Sequence, residues 1–190
     1  MSAVTTPPLR LAVVTASVRP GRLGPVVAEW FSKHVGQRAD FEAVAVDLAD
    51  LNLPSDLAQC AGIDALAEAI GAADAVVVVT PEYNHGYPAS LKSALDSLKY
   101  EWRGKPIGFV SYGGVSGGLR ATEQLRQVAA ELHMVSVRDS VMFARARKAF
   151  DDRGATSDTV AVDSATRMLD QIHWWATAAR LMQESTPYPG

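Results

Sequence analysis

Two periodicities alternate along this chain. Short continuous apolar runs, Leu11-Ala12-Val13-Val14 and Ala75-Val76-Val77-Val78-Val79, have the length and β-branched content of strands buried on both faces. Between such runs the larger side chains return every three or four positions, as at Val27, Trp30, Phe31 and His34, the spacing of one helix face. The pattern predicts strands over Leu9–Thr15, Phe41–Asp47, Ala75–Thr80 and Ile107–Ser111, and a fifth that begins at Met134–Val137. It predicts helices over Gly24–Gln37 and Asp64–Ala73, then one through Leu91, Ala94, Leu95 and Leu98 and one through Leu125, Val128, Ala129 and Leu132. A long final helix covers Thr159–Gln183, with Met168, Ile172, Trp175, Ala179 and Met182 along one side. Leu48–Gly62, with Pro54, reads as a polar loop, Trp102–Pro106 as a turn, and Phe150–Asp158 as a charged loop.

Strands alternating with helices imply an α/β domain with a parallel sheet covered on both faces and right-handed crossovers. No composition break or internal repeat divides the chain, so residues 1–190 form one expected domain, with loose tails over 1–8 and 184–190. In a five-stranded sheet of order 2-1-3-4-5 the strand order reverses between strands 1 and 3, and ligands bind outside the carboxyl ends of the strands there. The elaborate loops of this sequence follow strands 1, 3 and 4, which would bring them to one crevice.

The first of these, Ser17-Val18-Arg19-Pro20-Gly21-Arg22-Leu23-Gly24, joins a strand to a helix. Backbone amides and the positive helix end meet there, Ser17 adds a hydroxyl, and Arg19 and Arg22 add guanidinium forks. The loop reads as a phosphate cradle; a solvated turn with two surface arginines would carry the same residues. It lacks the G-x-G-x-x-G of dinucleotide sites and the Gly-Lys-Ser/Thr of Walker loops, so a mononucleotide phosphate fits better. The second loop, Pro81-Glu82-Tyr83-Asn84-His85-Gly86-Tyr87-Pro88, has a backbone fixed by prolines and offers its polar groups to the edge of a flat heterocycle. Its backbone, rather than the Tyr83 hydroxyl, is expected to touch that edge. The third, Ser111-Tyr112-Gly113-Gly114-Val115-Ser116-Gly117-Gly118, lacks bulk, so its backbone can approach a ring closely.

Composition narrows the function. With 190 residues, 48% of them hydrophobic, the chain can bury a full core. A net charge of −3 gives no basic field for nucleic acid. The single cysteine, Cys60, allows no intramolecular disulfide and lies in no metal-ligand spacing. No apolar run reaches membrane-spanning length and the start is polar, so a cytoplasmic protein without a membrane partner is expected. Gly114–Gly118 matches the G-x-S-x-G of a nucleophile elbow, but His133 and His173 lie in or beside predicted helices, where triad partners are not expected. A phospho-acceptor receiver domain needs acidic residues where this chain has Thr15-Ala16-Ser17 and Thr80-Pro81.

Ser17-x-Arg19 after strand 1, Pro81-Glu82-Tyr83-Asn84 after strand 3 running on to Pro88-x-x-Leu91-Lys92, and the glycine-rich loop after strand 4 resemble the NADPH-dependent FMN reductase family. The resemblance runs from Leu9 to about Leu181. It implies a flavodoxin-like three-layer sandwich, noncovalent FMN, and NADPH or NADH as donor to a small-molecule acceptor such as a quinone, azo dye or chromate. Ser17, Arg19 and the backbone of Arg22, Leu23, Gly24 and Pro25 would hold the phosphate. Pro81, Glu82, Tyr83 and Asn84 would border the isoalloxazine, and Ser111, Tyr112, Gly113 and Gly114 would lie along another side. Many members carry Ser and Asn where this chain has Gly24 and Pro25; the cradle loses a hydroxyl, with Arg22 at hand to compensate. The cofactor carries the redox chemistry, so no side chain is named as acid or nucleophile. Glu82 and His85 have either a rim role or one in substrate binding. The resemblance also implies a homodimer or homotetramer, and Trp174 and Trp175, about 100° apart on the last helix, place one indole toward a subunit interface. A flavodoxin-type electron carrier is the alternative; carriers of that kind are usually far more acidic than −3.

Overall fold

The computed structural model of the protein describes residues 7–189. A parallel sheet contains β1 (Leu9–Thr15), β2 (Phe41–Asp47), β3 (Ala75–Pro81), β4 (Pro106–Tyr112), β5 (Val135–Ser136) and β6 (Val141–Phe143), in the order β2-β1-β3-β4-β5, with β6 also paired to β4. The helices are α1 (Gly24–Val35), α2 (Leu48–Leu51), α3 (Ala61–Gly71), α4 (Ala89–Ser97), α5 (Leu119–Glu131) and α6 (Thr159–Gln183). This is the flavodoxin-like three-layer sandwich.

Alternation along the strands divides the core. Leu9, Leu11, Val13, Val77 and Val79 face α1 and α6, where Phe31, Met168 and Ile172 are buried. Ala12, Val14, Val76 and Val78 face the other layer, with Leu66, Ile70, Leu91 and Leu125. Both clusters are almost fully buried, and all seven residues of β3 and of β4 are buried. Trp102, expected in a turn, is 1% exposed and donates its indole N–H to the Leu95 carbonyl at 3.2 Å. It is core.

The fifth strand position is split. Arg126 of α5 reaches the edge and donates to the carbonyls of Val137 (2.6 Å) and Arg138 (2.9 Å) and to the Ser136 hydroxyl (2.6 Å). Those acceptors turn to the helix, the chain leaves the ladder, and it returns as β6 beside Val110–Tyr112. The segment after Asp47, expected as loop, opens with the short α2, which Asp47 caps through its carboxylate and the Ala49 N–H at 3.1 Å.

On α6 the buried stripe is Ala161, Ala165, Met168, Leu169, Ile172 and Ala176. Trp175 and Met182, which share one side of α6 with Met168 and Ile172 in the sequence pattern, are exposed, and the buried stripe ends at Ala176. Trp174 and Trp175 pack edge to face, 4.8 Å between ring centroids, outside the core. The expected tails are held where they are described: Arg180 donates to the carbonyls of Pro7 and Pro8, and Tyr188 packs edge-on to His133. The rest of the expected first tail, 1–6, and Gly190 lie outside the described residues. Among the described residues no helix is long and apolar enough to cross a membrane.

Candidate active site

The loops after β1, β3 and β4 converge on one cavity of about 460 Å³ at the carboxyl ends of the strands. Of the residues expected in the site, Arg19, Arg22, Leu23, Pro81, Glu82, Tyr83, Tyr112, Gly113 and Gly114 line it. Ser17, Gly24, Pro25, Asn84 and Ser111 do not. Ser17, Gly24 and Ser111 are buried behind the wall, and Pro25 and Asn84 are exposed beside it.

The β1 loop is built from below. Ser17 is fully buried, and its Oγ accepts from the Tyr112 hydroxyl at 3.1 Å. That bond ties the β1 loop to the end of β4. Burial pushes the Tyr112 phenol up to about 12, so it stays a neutral donor at ordinary pH. Gly24 is required here: a Cβ would lie 2.3 Å from Ser17 Oγ and 3.0 Å from the Tyr112 hydroxyl. A side chain at this position has no room while Ser17 and Tyr112 keep these places. Among the described residues the amides of Val18, Arg19, Leu23 and Gly24 find no backbone acceptor. They stand at the N-terminus of α1, which has Pro25 in its first turn and no side-chain cap, the arrangement that receives an anion.

The two arginines of this loop differ. Arg22, expected to compensate for the missing hydroxyl, is committed elsewhere. Its Nη1 lies 2.6 Å and its Nη2 2.8 Å from the two Asp47 oxygens, and Nη1 also donates to the Ser17 carbonyl at 2.5 Å. Asp47 raises the Arg22 pKa through these bonds. Arg22 therefore shapes the loop. The Arg19 guanidinium stacks over the Tyr83 ring, 3.8 Å from its centroid, and among the described residues pairs with no carboxylate.

The β3 loop makes a tight turn. Tyr83 N–H donates to Gly86 O (2.8 Å) and Gly86 N–H to Tyr83 O (3.1 Å), with Asn84 (φ 49°) and His85 (φ 78°) between them. Positive φ at both central residues matches a type I′ turn. The Glu82 N–H donates to Tyr112 O at 2.9 Å. The backbone of Glu82 and Tyr83 is thus engaged, which leaves the amides of Asn84 and His85 to meet a ligand. The Glu82 side chain, 6% exposed, lies 3.2 Å from Arg120 Nη1 and accepts from the Arg120 N–H in the first turn of α5. Arg120 Nη1 is also 2.9 Å from His85 Nδ1. Glu82 and His85 form a rim cluster with Arg120.

In the β4 loop, Ser111 Oγ donates inward to the Gly117 carbonyl at 3.0 Å. Gly118 has φ +95°, and a Cβ there would lie 2.5 Å from the Ser111 Cβ, so the loop folds back on the strand only with glycine. Gly114 has open space where a side chain would point. The remaining wall, absent from the sequence expectations, is Arg145, Ala146, Arg147 and Lys148. It is a single 3₁₀ turn after β6. Its sequence signal is three cations in four positions.

A cavity at the switch point of a parallel α/β sheet, walled by the loops after β1, β3 and β4, is where proteins of this fold class bind their ligands. Known proteins narrow that class. The family model described as NADPH-dependent FMN reductase matches residues 9–148. An NAD(P)H-dependent FMN reductase of Schizosaccharomyces pombe is 42% identical over 136 residues, 66% of this chain and 68% of that protein. A quinone reductase of Escherichia coli is 34% identical over 129 residues, 63% of this chain and 69% of that protein. Among solved structures, the flavoenzyme NAD(P)H:(acceptor) oxidoreductase FerB of Paracoccus denitrificans superimposes with a TM-score of 0.72 at 23% identity, covering 90% of this chain and 98% of that one. The chain belongs to the NADPH-dependent FMN reductase family. It is an enzyme, an NAD(P)H-dependent oxidoreductase of the FMN- and quinone-reductase kind.

Proposed function

We propose that this cavity holds FMN, that NADPH or NADH delivers the reducing equivalents, and that a small molecule such as a quinone accepts them. The observation that carries the reading is the convergence of three structurally different loops on one crevice, each suited to a different part of a mononucleotide. The uncommitted amides of Arg19 and Leu23 and the Arg19 guanidinium, on the cavity wall with Ser17 bracing the loop behind them, suit the phosphate. Pro81, Glu82 and Tyr83 border a flat ring on one side, with the amides of Asn84 and His85 in the turn at the rim, and Tyr112, Gly113 and Gly114 on the other. The cavity volume lies in the range of ordinary small-molecule sites, about 300–1,000 Å³.

Bound FMN supplies the hydride-accepting chemistry; the chain supplies position and field. Tyr112 and Ser17 lock the cradle to β4, Arg22 and Asp47 lock it to β2, and Glu82 and Arg120 hold the β3 loop on α5. One crevice serves donor and acceptor in turn, so the kinetics are ping-pong, with parallel double-reciprocal lines for NADPH against a quinone. Intersecting lines would contradict this. The reading includes a homodimer or homotetramer in the cytoplasm, supported by the family resemblance, the exposed indoles of Trp174 and Trp175 and the lone cysteine; sedimentation of the purified protein tests the assembly. The test of the cofactor is the absorption spectrum of the purified protein, with a flavin band near roughly 450 nm that NADPH bleaches and a quinone restores.

A further inference from the structure

The cavity carries more positive charge than a flavin phosphate uses. Five cationic side chains line it, Arg19, Arg22, Arg145, Arg147 and Lys148, against the single carboxylate of Glu82. Arg22 is paired with Asp47, and Glu82 is neutralised by Arg120. Among the described residues, Arg145, Arg147 and Lys148 have no carboxylate within ion-pairing distance. This lies on a chain whose net charge is −3.

The turn that carries them is firmly placed. Arg145 sits at φ 49°, ψ 45°, a left-handed conformation that glycine or asparagine adopts more readily. Two bonds hold it there: Arg145 N–H to Gly114 O at 2.6 Å and Ala146 N–H to Gly113 O at 3.1 Å. The cationic turn is therefore clamped to the backbone that borders the proposed ring site. Phe143 and Phe150 flank the turn, 4.7 Å apart between centroids, and both pack edge-on to Trp30 of α1. A long side chain kept in a strained conformation at the edge of a cavity points to function.

All three cations are exposed, as is Arg19, whereas the floor of the cradle, Ser17 and Gly24, is buried. A resident cofactor suits the cradle whose floor is fixed inside the fold. A substrate that enters and leaves in each turnover meets the exposed cations at the mouth, where long side chains can follow it. We infer, on the reading that FMN fills the inner cavity, that Arg145, Arg147 and Lys148 bind the phosphates of the nicotinamide donor and select NADPH over NADH through its additional 2′-phosphate. Arginine forks and a lysine are the donors that hold a phosphomonoester best.

The test compares the FMN-loaded protein with the same protein carrying Arg147→Ala and Lys148→Ala, substitutions that leave the strained Arg145 backbone in place. Calorimetry measures binding of 2′,5′-ADP and of 5′-AMP, and steady-state kinetics give KM for NADPH and for NADH. The wild type should bind 2′,5′-ADP at least about tenfold tighter than 5′-AMP. The double variant should lose that preference, and its KM for NADPH should rise at least about tenfold more than its KM for NADH. Equal affinities in the wild type, or a preference that survives in the variant, would overturn the inference. FMN titration of both apoproteins separates this from the underlying reading. Loss of FMN in the variant alone would assign the cations to the flavin phosphate and overturn the inference, whereas no FMN binding by the wild type would overturn the site itself.

Discussion

Arg22 and Asp47, twenty-five positions apart, close a two-pronged ion pair with nitrogen–oxygen distances of 2.6 and 2.8 Å between the loop after β1 and the end of β2. The same guanidinium holds the Ser17 carbonyl. A side chain in the middle of the proposed anion-binding loop is thus spent on the loop's own shape. Asp47 does not line the cavity, yet its removal should disturb ligand binding there. Asp47→Ala is expected to cost about 1.5–3 kcal/mol of stability, the usual scale for hydrogen bonds to charged groups, and to weaken FMN. Arg22→Ala should do the same. In a double-mutant cycle of urea unfolding and FMN titration the two losses should be far from additive. Additive losses would show that Arg22 meets the ligand independently.

Gly24 tests the floor of the cradle. A methyl group there would drive into Ser17 Oγ and crowd the Tyr112 hydroxyl. Gly24→Ala should lower stability by about 1–3 kcal/mol, the scale of overpacking, and weaken FMN in parallel. Adding Ser17→Gly to Gly24→Ala should recover part of the stability, because it removes the atom that clashes. A fully stable Gly24→Ala would mean that Ser17 rotates away freely.

Lys105 gives a pH dependence distant from the site. Its ammonium donates to the last carbonyls of α3, at Ile70 and at Gly71 (3.2 Å), where a helix end favours positive charge. Burial nevertheless lowers its pKa from 10.5 to about 8. Between these values the unfolded chain keeps the proton and the folded chain releases it. The unfolded state then binds more protons, so stability from this group rises as pH rises through the window. The stability of the wild type relative to Lys105→Met, measured by urea unfolding, should therefore be greater at about pH 10 than at pH 7. A relative stability that falls over that interval would contradict the assignment.

The β3 loop separates side-chain from backbone recognition. Tyr83 presents its ring to Arg19, and its own N–H and C=O are closed on Gly86. Tyr83→Phe keeps the ring and should leave FMN affinity within a few-fold, about 1 kcal/mol or less. A glycine inserted between Tyr83 and Asn84 breaks the Tyr83–Gly86 pairing and moves the Asn84 and His85 amides, and should lower flavin affinity strongly. Fluorescence titration decides; loss of FMN in Tyr83→Phe with retention in the insertion would place recognition on the hydroxyl.

Much of this was legible in the residues. Apolar runs mark β1 and β2 with their observed ends, and the loops rich in Gly, Pro and Tyr mark the crevice because such residues concentrate where backbone must bend or approach a ligand. β6 was not legible, since the break before it comes from Arg126, a side chain of another element. Neither was α2, whose four residues are too few for any period to show. Trp102 stands in a polar stretch, and only the fold shows the pocket under α4 that it fills. The commitment of Arg22 to Asp47 depends on β2 lying beside β1, a neighbour relation that local pattern does not contain. The cations of 145–148 were visible as a cluster but carried no periodicity to place them.

The central proposal is that the loop after β1 holds the phosphate of FMN, with Arg19, stacked on Tyr83 and free of any carboxylate among the described residues, as its cation. The most direct measurement is a paired titration of apoprotein, wild type and Arg19→Ala, with FMN and with riboflavin, which has no phosphate. One FMN should bind per chain. Arg19→Ala should weaken FMN about 10- to 150-fold, the equivalent of one charge-assisted bond, and leave riboflavin nearly unchanged. An equal loss for both ligands, or equal affinity of the wild type for both, would contradict the account.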